Sequence, residues 1–373
     1  MAKVVCAGAV GLVAVSALLW AALSPTNVAP PPPLPVETPA APASLEYRGL
    51  AIQVASGWRP LETYGPLLEQ IADLGANTVL LSVDGQMEHA GSQSIYIDAR
   101  KVPAAEDFKA IIRRARELGL KPIVMPKVLL RNPRGSEWRG LIEPPDWDDW
   151  WEQYTEFVLY FADICREAGA EGLCVGSELI STEKYRDRWV TLIEQIRPRF
   201  WGGKLGYSAN WDHYEAVGFW DKLDFIGMTT YYTLADEPNP TVEQIVERWA
   251  PYKEKILGWQ RKYNKPLVLT EVGWCSQEGA AKNPWNYYQN QKATPEGHEE
   301  QRRLYEAFLR VWGDVPQLGG VIWWEWSDSP GGEQDFKYTP KGKPAEQLLR
   351  AWFKAGPPVA TTQPAPPVSA AGS

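Results

Sequence analysis

The sequence predicts an α/β protein built as a single (β/α)8 TIM barrel. Three observations carry this: eight short apolar runs, amphipathic helical stretches between them, and a folded body of barrel size. Eight buried strands separated by helices imply parallel pairing, because each return to a parallel neighbour needs a crossover. A closed barrel typically takes about 250 residues, more with insertions, and residues 46–355 supply enough chain. The competing open, doubly wound sheet usually carries a glycine-rich phosphate loop after its first strand. Here that position reads Val-Ala-Ser-Gly-Trp-Arg (54–59), not G-x-G-x-x-G.

The strand candidates are 49–54, 77–83, 122–128, 172–177, 204–208, 224–230, 266–272 and 320–326. Helical stripes lie between them. Phe108, Ile111, Ile112, Ala115 and Leu118 share one face at 3.6 spacing, as do Tyr154, Phe157, Val158, Phe161 and Cys165. Trp189, Leu192, Ile193 and Ile196 form a third stripe, which Pro198 ends. Thr241-Val-Glu-Gln is a capping box opening a fourth helix. Thr294-Pro295 places proline at the first position of a fifth. Leu348, Leu349, Trp352 and Phe353 belong to a last helix, stopped by Gly356-Pro357.

The chain has 373 residues, 45% hydrophobic and 23% charged, a balance that sustains a core and excludes wholesale disorder. A net charge of −8 gives no basic footprint, so no nucleic-acid partner is expected. The 19 Trp and 16 Tyr suit either a heavy aromatic core or a groove on which a flat, partly apolar ligand stacks.

Residues 4–23 are almost wholly apolar, so 1–24 is expected to be a secretory signal or an N-terminal membrane anchor and the protein to be exported: periplasmic, cell-surface or secreted. Eight prolines between Pro25 and Pro42 make 25–45 an extended linker. Residues 356–373 are an uncharged, disordered tail by composition. Cys165, Cys174 and Cys275 are odd in number within the body and lack C-x-x-C spacing, which points to no zinc site and no disulfide framework. With three His in the chain, no metal site is expected.

In such a barrel the active site lies at the carboxyl ends of the strands. Two carboxylates stand there after apolar runs: Glu178 after Leu-Cys-Val-Gly-Ser, and Glu271 after Pro-Leu-Val-Leu-Thr. Either alone is a solvated rim residue or a salt bridge. Together at two strand ends ringed by aromatics, they are a paired acid and base. Carboxyls about 5–5.5 Å apart are the geometry of a retaining glycosidase. A charged nucleophile raises its neighbour's pKa and so divides the labour. Trp58, His89, Lys127, Asn210, Trp211, Tyr231, Trp274, Trp324 and Trp326 are the candidate substrate-binding residues around them. Strand alternation would put Trp324 and Trp326 on the cleft face, with Trp323 and Glu325 opposite. By the same rule only one of Tyr231 and Tyr232 can face inward. Lys127 is equally a rim lysine, His89 a plain loop histidine, and Asn210 a helix cap. The segment 131–151, with Trp138, Trp147, Trp150 and Trp151, is either a cleft wall or the start of a helix. Trp285, Tyr287 and Tyr288 sit in a second insertion after strand seven.

VGSEL (175–179), GYSANWDHYEAVGFWDKLDFIGMTTYY (206–232), LTEVGW (269–274) and VIWWEW (321–326) resemble glycoside hydrolase family 113, a clan A family of barrels described as endo-β-1,4-mannanases. The similarity runs from RGLAIQVASGW (48–58) to the last strand. The resemblance implies Glu178 as acid/base, Glu271 as nucleophile, and Tyr231 as the tyrosine that hydrogen-bonds the nucleophile. It also implies β-1,4-mannan, as polysaccharide or oligosaccharide, as the substrate. In much of the clan an Asn precedes the acid/base and holds the sugar 2-hydroxyl; here Ser177 stands there, with Asn210 a candidate substitute. The chemistry needs no cofactor, and a monomer is expected, with residues 4–23 as its membrane tether if uncleaved. The rival expectations are the same mechanism on another β-glycan (a β-glucan, chitosan-like or cell-wall glycan) and a non-catalytic glycan-binding envelope protein. A pure binder has no need of two facing carboxylates.

Overall fold

A computed structural model describes residues 45–355 other than residue 314. The leader or anchor, the linker up to residue 44, the tail and the Gly356-Pro357 stop lie outside the described residues. Among the described residues no helix is long and apolar enough to cross a membrane.

The eight strands are β1 (Tyr47–Val54), β2 (Thr78–Met87), β3 (Lys121–Leu130), β4 (Gly172–Ser177), β5 (Lys204–Ala209), β6 (Ile226–Thr229), β7 (Leu267–Val272) and β8 (Leu318–Trp323). They close into a barrel in sequence order, every pair parallel. Among the described residues seven α-helices surround it: α1 (Pro60–Asp73), α2 (Ala105–Glu117), α3 (Trp147–Ala168), α4 (Arg186–Arg199), α5 (Val242–Gln260), α6 (Pro295–Trp312) and α7 (Pro344–Lys354).

Alternation along each strand produces two apolar layers. Ala51, Leu80, Ile123, Met125, Cys174, Val268 and Ile322 fill the barrel. Their neighbours Leu50, Ile52, Val79, Leu81, Val124 and Leu269 point outward and meet the helix stripes. The helix ends follow local chemistry. Asp146 caps α3 by accepting from the backbone N–H groups of Asp148 and Asp149. The Thr241–Gln244 capping box opens α5 with both of its bonds made. Thr294 caps α6 ahead of Pro295. Pro198 lies one residue inside the end of α4 rather than just beyond it.

The C-terminal strand ends depart from regular pairing. Register shifts occur in the β4–β5, β6–β7 and β7–β8 pairs. Such irregularities re-aim side chains. From Val268 and Thr270, strict alternation would send Glu271 outward; the shift between Leu269 and Val272 turns it into the mouth of the barrel. Gly273 follows directly. A Cβ there would lie 2.0 Å from the Trp324 carbonyl oxygen, so only glycine lets the ends of β7 and β8 approach this closely.

Candidate active site

A cleft of about 940 Å³ opens at the carboxyl ends of the strands. It is lined at its floor by Glu178, Glu271, Tyr231, Lys127, Trp324 and Asn210. Both glutamates are buried. They flank Thr229 at the end of β6: its hydroxyl donates to Glu178 Oε1 at 2.9 Å, and its backbone is in register with Glu271. Glu178 has a left-handed backbone, φ +53°. Its N–H donates to the Ser208 carbonyl at 2.8 Å, which fixes the turn off β4. Its Oε2 accepts from the Arg139 guanidinium.

Glu271 is held differently. Tyr231 donates from its hydroxyl to Oε2 at 2.8 Å. Oε1 is buried and has no hydrogen-bond partner among the described residues. Burial pushes the carboxyl up to about 7, and the neighbouring Glu178 adds to this, while Lys127, Arg139 and the Tyr231 bond pull the other way. Burial likewise raises the Tyr231 hydroxyl well above the ordinary range, so it stays a donor. The expected division of labour put the raised carboxyl on the acid/base. The carboxyl that burial pushes up is instead that of Glu271.

Lys127 continues the inward face of β3 and stands 4.7 Å above the Trp324 ring, with Asp84 Oδ1 3.9 Å from its ammonium. It is a floor residue, not a rim one. Asn210 also faces the cleft. No α-helix follows it directly, so it caps none; its Oδ1 accepts from the Trp211 N–H at 2.9 Å. Trp211 lies in the wall, nearly parallel to Trp285 with ring centres 6.0 Å apart. Tyr232 points away from Tyr231 and packs on Trp249 and Tyr252.

Four candidates stand elsewhere. Trp58 is 75% exposed on the β1–α1 connection and does not line the cleft. His89 lies in the loop after β2, its N–H bonded to Ser92 Oγ at 3.0 Å, also outside the cleft. Trp274 follows Gly273 outward and is fully buried against Tyr305 and Phe308 of α6. Trp326 is buried with its indole N–H on Gln70 of α1 at 2.9 Å. The physical reason for the last is that β8 ends at Trp323, three residues before the expected boundary. Alternation does not extend to Trp324 and Glu325, and both line the cleft. The peptide bond between them is cis.

Several cleft residues carried no distinguishing signal. Gln53, at the end of β1, donates to Glu325 Oε2 at 2.6 Å. Burial raises the Glu325 carboxyl despite that bond. Tyr338 covers Tyr231 and bonds the Pro284 carbonyl at 2.7 Å. Arg139 is one of three arginines in the insertion after β3, and nothing in its spacing separates it from Arg131 and Arg134. Both insertions reach the cleft, through Trp138 and Arg139 on one side and Trp285, Tyr287 and Tyr288 on the other. Trp150 and Trp151, by contrast, belong to α3 and are buried, Trp150 stacking on Tyr154 at 4.9 Å. All three cysteines of the body are free and buried, and Cys275 lines the cleft. Among the described residues no cluster of three or more His, Cys, Asp or Glu is placed to hold a metal ion.

An eight-stranded barrel with two buried glutamates at the ends of β4 and β7, inside an aromatic-walled cleft, defines the class of glycoside hydrolases. Residues 58–343 match the family model of Glycoside Hydrolase Family 113. The chain belongs to that family. The fold is shared with solved structures. One is the GH113 β-mannanase AaManA from Alicyclobacillus acidocaldarius in complex with ManMIm, 27% identical with TM-score 0.73, covering 83% of this chain and 97% of that one. A GH113 β-1,4-mannanase solved as a complex is 23% identical with TM-score 0.74, covering 83% and 99%. A family 5 mannosidase from Rhizomucor miehei is 10% identical with TM-score 0.57, covering 84% and 94%. No curated protein matches the chain.

Proposed function

We propose that this glycoside hydrolase cleaves β-1,4-linked mannan or its oligosaccharides with retention of configuration. The observation that carries the mechanism is the asymmetric holding of Glu271: Tyr231 fixes one oxygen and leaves the other free. The Glu271 carboxylate attacks the anomeric carbon while Glu178 protonates the departing glycosidic oxygen. Cationic charge developing on the sugar ring beside Glu271 favours its ionised form. Glu178 then takes a proton from water, whose oxygen displaces Glu271. Trp324 and Trp211 offer indole faces to the sugar's C–H surface, and Asn210 and Lys127 offer donors to its hydroxyls. Asn210 takes the 2-hydroxyl, since Ser177 is fully buried and does not line the cleft. Mannan is supported by family membership and by the mannanases among the similar structures. Residues 46–355 form the catalytic domain, and residues 4–23 direct export; sequencing the mature N-terminus decides whether they are cleaved.

The test is a reducing-sugar assay on mannans, β-glucans, xylan and chitosan, with Glu271→Ala alongside. Release from mannan that vanishes in the variant is expected. Release from another glycan replaces the substrate and keeps the mechanism. A folded protein that releases nothing contradicts the proposal and favours a glycan-binding protein.

A further inference from the structure

Arg139 opens a short 3-10 turn, Arg139–Leu141, in the insertion after β3. Its side chain is 16% exposed. The guanidinium bonds Glu178 Oε2 and also faces Glu271, Asp84 and Tyr231. The insertion is tied down along its length. Glu137 accepts from the backbone N–H groups of Ala90 at 3.2 Å and Arg134 at 3.0 Å. Backbone N–H groups of Arg131, Asn132 and Glu143 donate to the carbonyls of Met87, Glu88 and Ala90, each at 2.8 Å. The arginine is therefore aimed by a braced loop. Glu178 is gripped on both oxygens, by Thr229 on one and a cation on the other.

We propose that Arg139 is a positioning residue for Glu178, aiming its carboxyl across the cleft and stabilising the negative charge that appears when the proton leaves. This rests on Glu178 being the acid/base. In the first step the bond from the Glu271 carboxylate to the anomeric carbon forms as the glycosidic C–O bond breaks. The leaving oxygen keeps the electron pair and takes the proton of Glu178, which becomes a carboxylate beside Arg139. In the second step that carboxylate takes a proton from water, the water oxygen bonds the anomeric carbon, and the bond to Glu271 breaks. A neighbouring cation favours the carboxylate. It helps the first step and weakens Glu178 as a base in the second. The other titratable groups around Glu178 are Glu271 and Tyr231 across the cleft and Glu183 in the turn after β4, with Lys127 and Asp84 on the adjoining floor.

The experiment compares wild type, Arg139→Gln and Arg139→Lys on mannohexaose and on a dinitrophenyl β-mannobioside, whose leaving group needs no proton. In Arg139→Gln the alkaline limb of kcat/KM is expected to move up by about one pH unit. Turnover of mannohexaose should fall on the order of tenfold, part of the full acid/base effect. The dinitrophenolate burst should fall much less, and Arg139→Lys should return the limb toward wild type. A purely structural role lowers both substrates alike and leaves the limb in place, and that result overturns the proposal. If Arg139→Gln does not fold, Arg139→Lys decides by the same comparison: unequal loss on the two substrates supports the proposal and equal loss overturns it. If wild type cleaves no β-mannan, the mannanase reading fails separately. Carboxyl-13C NMR then decides, with the Glu178 signal identified by its loss in Glu178→Gln. An upward move of the pair's titration in Arg139→Gln supports the charge coupling, and an unchanged titration overturns it.

Discussion

Glu178 adopts φ +53° at the end of β4. A left-handed backbone costs an L-residue with a Cβ about 1–2 kcal/mol, and glycine avoids that cost. Glu178→Gly is therefore expected to be more stable to denaturant than Glu178→Ala, by about 1 kcal/mol. Equal stability would mean the turn relaxes. At Glu271 the telling bond is the one from Tyr231, a hydrogen bond to a charged group. Such bonds contribute about 1.5–3 kcal/mol, so Tyr231→Phe should lower kcat by about 10- to 100-fold. An unchanged kcat would remove Tyr231 from the mechanism. The Glu271 carboxyl also makes stability depend on pH. Its value rises from 4.5 to about 7 on folding. The folded protein thus holds this proton more tightly than the unfolded chain. The contribution is fully present below about 4.5 and is lost as pH rises through about 7. Glu271→Gln does not titrate, so its melting temperature should gain on wild type between pH 4 and pH 8. A constant difference over that range would show that the carboxyl is not raised. Both glutamates were legible in the sequence because each ends an apolar run. Arg139 and Gln53 were not, because a charged or polar residue in a loop or near a strand end looks the same whether it turns inward or outward.

The loops after β7 and β8, which carry much of the cleft wall, are joined by a buried polar clamp. Lys343 donates to Asp335 Oδ1 at 2.7 Å, to Ser276 Oγ at 2.7 Å and to the Lys337 carbonyl at 3.0 Å. The lysine side chain is fully buried and that of Asp335 is 7% exposed. Removing one partner leaves a buried charge unpaired. Lys343→Met should destabilise the protein by about 3–5 kcal/mol, read as a shift in the urea midpoint with an unchanged slope. A loss under 1 kcal/mol would mean that water replaces the ammonium. At this scale sequence periodicity served well wherever a helix had a continuous stripe or a cap. It did not single out α1, whose first turns are interrupted by Gly65 and Pro66. It also placed the end of β8 three residues late, because a run of Trp and Glu continues the strand's composition after its hydrogen bonding has stopped. That error put Trp326 in the cleft and Glu325 outside it.

For the whole molecule, closure of the barrel was legible because strand count, crossover helices and chain length all pointed to one architecture, and the structure closes β1 to β8. The positions of the cleft aromatics were less so. Trp58, Trp274 and Trp326 have the same composition signal as Trp211 and Trp324, and only the turn geometry after each strand separates stacking surface from core. The proposed double displacement on β-mannan rests on two glutamates. The most direct test is to follow mannohexaose hydrolysis by proton NMR from the first turnover, for wild type and Glu271→Ala. The β-anomer is expected to appear first and to mutarotate afterwards, with no product from the variant. First appearance of the α-anomer, or substantial hydrolysis by Glu271→Ala, would contradict it.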